Sequence, residues 1–249
     1  MTPNPDRSPA QGVLTIVRLN WPMYLAALLV LVASTCGIAA ASGGLRLAAS
    51  MVAIGCAWFL VGSLVVSFVV YDRSRLYRWE WLDQLLGDRD AADVIVCHTG
   101  FDEISDALRK LHPGWRIRVL DHFDPGTMTE PSIRRARKFR PPRADDVAAR
   151  FDQWPEIEGD VILGVLAIHE LRSECERTRW FSECRHHLRV NGSVVIVEHV
   201  RDPANFLAFG PGFLHFHAVG SWRRCWEAAG FRSTRQFRIT PFVRVFFLS

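Results

Sequence analysis

The sequence predicts an α/β domain with a mostly parallel sheet and an antiparallel C-terminal edge, preceded by a transmembrane helical hairpin. Two runs without Asp, Glu, Lys or Arg occupy residues 19–45 and 47–71. From Asp93 onward, short apolar runs alternate with helical patterns, which is typical of a parallel sheet covered by helices on both faces. The last two apolar runs lie close together in the chain, which favours an antiparallel pair at the sheet edge.

Each uncharged run is long enough to cross a bilayer as a helix. Ser42, Gly43 and Gly44 form a short turn between the runs, so both outer ends lie on the same side. A cleaved secretory signal has a single, shorter apolar stretch and does not match. The alternative is a pair of buried core helices, but ordinary core helices are shorter. The sequence therefore predicts an N-terminal tail at residues 1–18 and a hairpin at residues 19–71.

Basic residues set the predicted orientation of this hairpin. The turn has only Arg46 nearby, whereas the outer ends carry several arginines, namely Arg7, Arg18, Arg73, Arg75 and Arg78. The positive-inside rule therefore places the larger domain in the cytoplasm and the hairpin in the inner or cytoplasmic membrane. Residues 72–92 are predicted either as a linker or as an amphipathic helix on the membrane surface. Rings suited to the headgroup level are Trp21, Tyr24, Tyr71, Tyr77, Trp79 and Trp81.

Composition excludes several other classes of protein. The net charge is only +4, and no basic stripe or acidic tail is present, so no nucleic-acid partner is predicted. One basic cluster is typical of a solvated helix face or of contact with anionic lipid: Arg134, Arg135, Arg137, Lys138, Arg140 and Arg143. The six cysteines form no CxxC pair, so neither a disulfide framework nor a structural zinc site is predicted.

The elements of residues 93–249 follow one another in a regular order. Strands are predicted at residues 94–97, 116–120, 146–149, 161–168, 194–197, 231–238 and 242–248, and helices at residues 101–111, 132–139, 175–188 and 221–229. A parallel sheet of this kind binds its ligand at the carboxyl ends of the central strands. The strand-to-helix loops are therefore where functional residues are expected.

Three phrases in this region carry a resemblance to a known family. They are DVILGVLAIHEL at residues 160–171, CRHHLRVNGSVVIVEHV at residues 184–200 and SWRRCWEAAGF at residues 221–231. In order and spacing, they resemble the fourth strand, the fifth strand with its preceding turn, and the final helix of class I S-adenosylmethionine-dependent methyltransferases. The resemblance implies a Rossmann-like methyltransferase sheet at residues 93–249 and S-adenosylmethionine as the cofactor.

The resemblance also implies a set of cofactor-binding residues. His98 and Gly100 stand in the loop after the first strand, where family members approach the amino-acid end of the cofactor. Asp121 ends the second strand, where an acidic side chain accepts hydrogen bonds from the ribose hydroxyls. Asp152 resembles the position that faces the adenine amino group, and Ala167 follows the fourth strand. The alternative for Asp121 is a strand-terminating turn residue, and for Asp152 a helix or turn cap.

The catalytic candidates follow two neighbouring strands. His169 and Glu170 come after the fourth strand, and Glu198 and His199 after the fifth, so both pairs face one crevice. A hydroxyl acceptor benefits from a base whose pKa lies near the working pH, and histidine is the usual choice. No metal site is predicted among these residues.

A further segment, residues 203–219, is rich in Phe but interrupted by Gly and Pro, and is interpreted as a substrate-side wall or lid that partly faces lipid. On an extended strand, His215 and His217 in this segment point the same way. They are candidates for substrate contact or catalysis, with packing residues and a metal pair as the alternatives.

The sequence therefore predicts a membrane-anchored S-adenosylmethionine-dependent methyltransferase that acts on an apolar or membrane-associated small molecule at oxygen. Its predicted partners are the lipid bilayer and that substrate. Because Gly100 alone represents the glycine-rich loop, an alternative remains: a cofactor-free methyltransferase-like domain that serves as a membrane-tethered interaction module or a subunit of a biosynthetic complex. A nicotinamide-dependent reductase is disfavoured, since no GxGxxG phrase follows the first strand.

Overall fold

The computed structural model describes residues 8–87 and 89–249. Seven strands form one sheet: β1 (Asp93–His98), β2 (Arg116–Asp121), β3 (Val147–Ala148), β4 (Gly159–Val165), β5 (Leu188–His199), β6 (Ser233–Thr240) and β7 (Val243–Leu248). Their order is β3-β2-β1-β4-β5-β7-β6. β7 runs antiparallel to both β5 and β6, and the other neighbours are parallel. The mixed sheet predicted from the sequence is confirmed.

The helices of the described chain are α1 (Gln11–Ala40), α2 (Gly43–Ser67), α3 (Glu80–Leu86), α4 (Ser105–Leu111), α5 (Pro131–Phe139), α6 (Glu174–His187), α7 (Pro203–Phe209) and α8 (Val219–Ala228). A π-helical turn at Phe68–Arg73 extends α2. Short 3-10 turns lie at Leu76–Arg78, Ile168–Glu170 and Gly210–His215. The last two follow β4 and α7 and supply residues of the candidate site.

The central strands are apolar on both faces because helices cover both sides of the sheet. In β1, Val94 and Val96 face one core layer, whereas Ile95 and Cys97 face the other. This alternation is the two-residue period of a strand. Residues of α1 and α2 lie close to the carboxyl ends of β1, β4 and β5.

The two N-terminal helices are long and apolar enough to cross a membrane by length and composition. α1 kinks at Asn20, two residues before Pro22. The most apolar window of α1 is 0% buried, and that of the helical stretch Gly43–Arg78 is 22% buried. Large apolar side chains such as Leu29 and Ile54 are 61% and 69% exposed. Most of the apolar surface of both helices is therefore exposed in the described chain, except at the end of α2, where Val66 joins the core.

The first turns of α1 pack against the domain. The backbone N–H groups of Gly12 and Val13 donate hydrogen bonds of 2.6 and 2.9 Å to the Asp72 carboxylate, which satisfies donors at the helix start. The predicted N-terminal tail at residues 1–18 therefore includes the first turns of α1, which begins at Gln11. Residues 1–7, with Arg7, lie outside the described part of the chain.

The segment that follows α2 belongs to the core of the domain. Leu76, Trp79 and Leu82 are fully buried, and Trp81 is 5% exposed. They pack on the sheet face that carries Val94. The prediction of headgroup-level rings is therefore wrong for Tyr77, Trp79 and Trp81, and that of a membrane-surface helix is wrong for α3. These rings cover an apolar sheet face, an environment that the sequence pattern alone does not distinguish from an interface.

Candidate active site

A cavity of about 460 Å³ lies between α1 and α2 on one side and the carboxyl ends of β1, β4 and β5 on the other. Its apolar walls include Met23, Phe59, Phe209 and Phe216. Its polar side chains are concentrated after the strands and at the end of α2, and they include Thr99, His169, Glu170, His199 and Tyr71. A mostly apolar cavity with a few converging polar groups is typical of a small-molecule site.

His169 is fixed by the strand next to it. β4 ends where Leu166 adopts a positive φ of 51°, and the chain then forms the short turn that carries His169. The Nδ1 atom of His169 lies 2.7 Å from Oε2 of Glu198, the penultimate residue of β5, which is fully buried. The other Glu198 oxygen accepts the N–H groups of Ala167 and His169 at 3.1 and 3.2 Å. The imidazole ring is therefore held in one orientation.

The charge state of His169 differs from the one expected of a base. Burial lowers its pKa, but the negative charge of Glu198 and hydrogen bonds to Glu170 and Glu198 outweigh burial and raise the pKa to about 10. Burial raises the pKa of Glu170, yet its hydrogen bonds with His169 and His215 hold it well below the usual range. Glu170 and Glu198 therefore favour a positive charge at His169, which is the imidazolium itself when no other cation is bound there.

His199 has the opposite character. Its Nδ1 lies 3.0 Å from the Phe242 carbonyl oxygen, which only accepts, so this nitrogen carries the proton. Its Nε2 therefore accepts the hydroxyl of Tyr71 at 3.1 Å. Burial lowers the pKa of His199 to about 4 and keeps the ring neutral. Tyr71, predicted only as a headgroup ring, is a cavity residue that the sequence reasoning missed.

His215 and His217 do not share a site. His215 faces the cavity from the 3-10 turn, with Nε2 at 3.3 Å from Oε1 of Glu170 and Nδ1 at 3.2 Å from Oε1 of Glu130. His217 lies outside the cavity lining, and its Nε2 lies 2.9 Å from Nη1 of buried Arg177. The expectation that both rings point the same way is wrong, because the segment folds as a short helix and a turn and not as an extended strand.

Three of the residues implied for the cofactor, His98, Gly100 and Asp121, are close together but buried. His98 and Asp121 end neighbouring strands, with Nδ1 of His98 at 3.5 Å from Oδ1 of Asp121. Arg137 of α5 donates a 2.5 Å hydrogen bond to Oδ2 of Asp121. A Cβ at Gly100 would lie 3.0 Å from side-chain atoms of Ile133 and Phe123.

The hollow beside His98 and Gly100 holds only about 10 Å³. The hydrogen bond from Arg137 places α5 against the Asp121 carboxylate. The sequence identifies Arg137 only as one member of a basic cluster, because its pairing with Asp121, 16 residues away in the chain, leaves no local pattern.

The other two implied residues are separated. Ala167 lines the large cavity, and its carbonyl accepts the Thr99 hydroxyl at 2.9 Å. Asp152 lines neither hollow, and its carboxylate lies 3.1 Å from Nε of Arg150 and 3.5 Å from Nη1 of Arg179. The residues present leave room for a ligand beside Thr99 and Ala167. The nucleoside of S-adenosylmethionine would reach the Asp121 carboxylate only if Arg137 of α5 moved away from it.

The chain matches no family model and no curated protein. Among solved structures, it is similar to the pyocyanin biosynthetic protein PhzM, with a TM-score of 0.53 and 18% identity over 75% of this chain and 57% of that one. It is also similar to the mitomycin 7-O-methyltransferase MmcR, with a TM-score of 0.52 and 16% identity over 98% of this chain and 73% of that one. The chain is also similar to CalO1, a methyltransferase of calicheamicin biosynthesis in an S-adenosylhomocysteine-bound form. The TM-score is 0.53, and the identity is 16% over 98% of this chain and 73% of that one.

At these identities the similarity shows the fold. The chain has the Rossmann-like fold of S-adenosylmethionine-dependent methyltransferases, as the resemblance implied, and it spans little more than half the length of PhzM. Because the matches to MmcR and CalO1 cover 98% of this chain, they extend over α1 and α2 as well as the sheet.

Proposed function

We propose that the protein is an S-adenosylmethionine-dependent methyltransferase that acts at an oxygen atom of an apolar or membrane-associated small molecule. The observation that carries this proposal is the cavity of about 460 Å³, which connects the apolar helices α1 and α2 with the strand ends of a methyltransferase fold. Ligands of such folds bind at the carboxyl ends of the strands.

The lining of the cavity favours an acceptor with an apolar body and one polar group. Phe59, Phe209 and Phe216 suit the body, whereas His169, His199 and Tyr71 suit the oxygen. His199 is neutral but a weak base because burial lowers its pKa to about 4. A phenol or a carboxylic acid, which loses its proton readily, therefore matches the site better than an aliphatic alcohol.

We further propose that α1 and α2 anchor the domain in a membrane and that the acceptor enters from the lipid. The exposed apolar surfaces of both helices support this. α7 stands beside α2, with a 2.8 Å hydrogen bond from Nε1 of Trp58 to the Leu207 carbonyl, and Phe206 is 49% exposed there. Retention of the protein in the membrane pellet at alkaline pH, with release by detergent, is the expected result, and release at alkaline pH without detergent contradicts it.

The position of α5 favours a second candidate function. If Arg137 and Ile133 keep the nucleoside half closed, the chain is a cofactor-free module that binds a partner, such as another subunit of a biosynthetic complex. The two functions differ in whether α5 moves away from Asp121 when the cofactor is present.

Calorimetric titration of the detergent-solubilised chain with S-adenosylmethionine and S-adenosylhomocysteine separates the two. The enzymatic proposal expects saturable heat with the unaltered protein and at least about tenfold weaker binding with Asp121→Asn, a difference of about 1.4 kcal/mol. Arg137→Ala is expected to bind more tightly, because the competing guanidinium is gone, and Arg134→Ala, an exposed position on the same helix, is the matched control. An absence of heat with both the unaltered protein and Arg137→Ala favours the cofactor-free module.

A further inference from the structure

Three metal-ligating side chains converge in the cavity: His169, Glu170 and His215. Their ligand atoms all lie within 4.8 Å of one another. Nε2 of His169 lies 3.5 Å from Oε1 of Glu170, and Nε2 of His215 lies 3.3 Å from the same oxygen. Ligand atoms held at 2.0–2.1 Å by a tetrahedral ion are about 3.4 Å apart. The two distances from the Glu170 oxygen therefore match the spacing of ligands around one ion, and the two histidine nitrogens lie within 4.8 Å of each other.

The two turns that carry these ligands are tied together. His169 and Glu170 lie on the 3-10 turn after β4, and His215 ends the 3-10 turn after α7. Nη1 of Arg172 donates hydrogen bonds to the carbonyl oxygens of His169 and His215 at 3.2 and 2.5 Å. The ligand positions are therefore fixed relative to each other through the backbone, without a metal ion.

Each imidazole also has a carboxylate on its other nitrogen. Nδ1 of His169 lies 2.7 Å from the buried carboxylate of Glu198, and Nδ1 of His215 lies 3.2 Å from Glu130. Metal-bound histidines almost always donate their second N–H to such an acceptor, which fixes the tautomer and orients the ring. In both rings, the nitrogen that faces Glu170 is Nε2, and a metal ion that binds there replaces the proton on that nitrogen, which is released to solvent.

We propose that His169, Glu170 and His215 bind a divalent transition-metal ion. Two imidazole nitrogens and one carboxylate oxygen form a ligand set that suits Zn²⁺ and Fe²⁺ and leaves further coordination positions open. Those positions face the apolar cavity, because all three ligands line it. An ion here would bind an acceptor oxygen and lower the pKa of its proton, which a weak base such as His199 does not achieve alone.

The proposed role in binding an acceptor oxygen rests on the proposed methyltransferase function, but metal binding itself does not. Metal binding can therefore be measured in the absence of S-adenosylmethionine. If no metal ion binds, the titrations with S-adenosylmethionine still test the methyltransferase proposal. If S-adenosylmethionine does not bind, the metal titrations still test the metal site.

The test uses the full chain in detergent, without a polyhistidine tag, after treatment with a chelator. Zn²⁺ is titrated by calorimetry, and Co²⁺ is followed by its visible absorption, which reports low coordination number and nitrogen ligation. The expected result is one equivalent bound. Glu170→Gln and His215→Ala are expected to weaken binding at least 100-fold, and Glu198→Gln 10–100-fold, as is usual for a carboxylate behind a histidine ligand.

The matched control is His186→Ala, an exposed histidine on α6, which is expected to leave binding unchanged. Circular dichroism and the unfolding temperature of each metal-free variant establish that it is folded, and His215 at 25% side-chain exposure is the ligand whose loss the fold tolerates best. The proposal is overturned if the unaltered chain binds no stoichiometric ion, or if Glu170→Gln and His215→Ala bind it as tightly as the unaltered chain does.

Discussion

Arg137 of α5 donates a 2.5 Å hydrogen bond to Asp121 at the end of β2. Asp121 is 5% exposed, and its Oδ1 also accepts the backbone N–H of Phe123. In folds of this kind, an acidic side chain at the end of the second strand can accept hydrogen bonds from the ribose hydroxyls of a bound nucleoside, and Asp121 resembles such a residue. The chain thus places the guanidinium of its own α5 where a nucleoside would compete for the same oxygen atoms.

Removal of this guanidinium is expected to destabilise the protein and to increase its response to ligand. Arg137→Ala leaves a buried carboxylate with fewer donors, which is expected to lower the free energy of unfolding by about 1–3 kcal/mol. S-adenosylhomocysteine is then expected to raise the unfolding temperature of Arg137→Ala by more than that of the unaltered protein. Thermal unfolding with and without this ligand measures both effects, and equal ligand-induced shifts in the two proteins would argue against competition at Asp121.

The segment after α2 provides a test of the domain organisation. Trp79 is fully buried against the sheet. Trp79→Ala is expected to lower the free energy of unfolding by about 3–5 kcal/mol, since it leaves a large cavity in the core. Trp21, 52% exposed on α1, is the matched control, and Trp21→Ala is expected to have little effect in detergent. A small effect of Trp79→Ala in denaturant titrations would return this segment to the role of a linker.

Strands β1 and β4 were predicted correctly from the sequence, whereas the positions of Trp79 and Trp81 were not, and the reason is physical. β1 and β4 were predictable because a continuous apolar run is what a strand buried on both faces requires. Trp79 and Trp81 were misplaced because an aromatic ring beside a basic residue suits a lipid interface and a protein core equally well. Only the packing of α3 on the sheet distinguishes the two environments.

The candidate site was predictable to a similar extent. His169 and Glu198 were expected to meet because they follow neighbouring parallel strands, and they lie 2.7 Å apart. His215 and His217 were expected on an extended strand, but Gly210, Pro211 and Gly212 lie in a helical turn that separates them. The pairing of Arg137 with Asp121 depends on how α5 lies on the sheet, for which a single sequence contains no local signal.

A pH dependence of stability follows from His122. Its Nδ1 donates to the Ala149 carbonyl at 2.9 Å, its Nε2 accepts the Trp180 N–H at 3.2 Å, and burial lowers its pKa from 6.5 to about 4. Between pH 6.5 and 4 the unfolded chain binds a proton that the folded chain does not, so the free energy of unfolding decreases as the pH falls through this window. Once the pH is below about 4, this residue alone has lowered the free energy of unfolding by about 3 kcal/mol relative to pH 7.

Denaturant titrations from pH 7 to pH 4 test this dependence. His122→Gln is expected to flatten part of the slope, and His186→Gln, at an exposed ring, to leave it unchanged. The flattening is expected to be partial, because burial also lowers the pKa of His199 to about 4 and that of His217 to about 3. An unchanged slope in His122→Gln would show that His122 is protonated to the same degree in both states.

The pair of Tyr71 and His199 provides a test within the cavity. Tyr71→Phe removes the hydroxyl that donates to Nε2 of His199 at 3.1 Å and retains the ring. If this pair receives the proton of the acceptor, kcat is expected to fall about 10–100-fold with little change in KM for the cofactor. Steady-state kinetics with a lipid-soluble phenol measure kcat and both KM values. A change confined to the KM for the phenol would assign Tyr71 to binding alone.

The most direct measurement of the central claim is methyl transfer itself. The protein is reconstituted in lipid nanodiscs with methyl-labelled S-adenosylmethionine and a lipid-soluble phenol or carboxylic acid, and the label that enters organic solvent is counted. Label is expected in the organic phase, together with an equal amount of S-adenosylhomocysteine. Asp121→Asn is expected to lower the amount of both products. Absence of label above that of protein-free nanodiscs, across acceptors of both classes, would contradict the proposed activity.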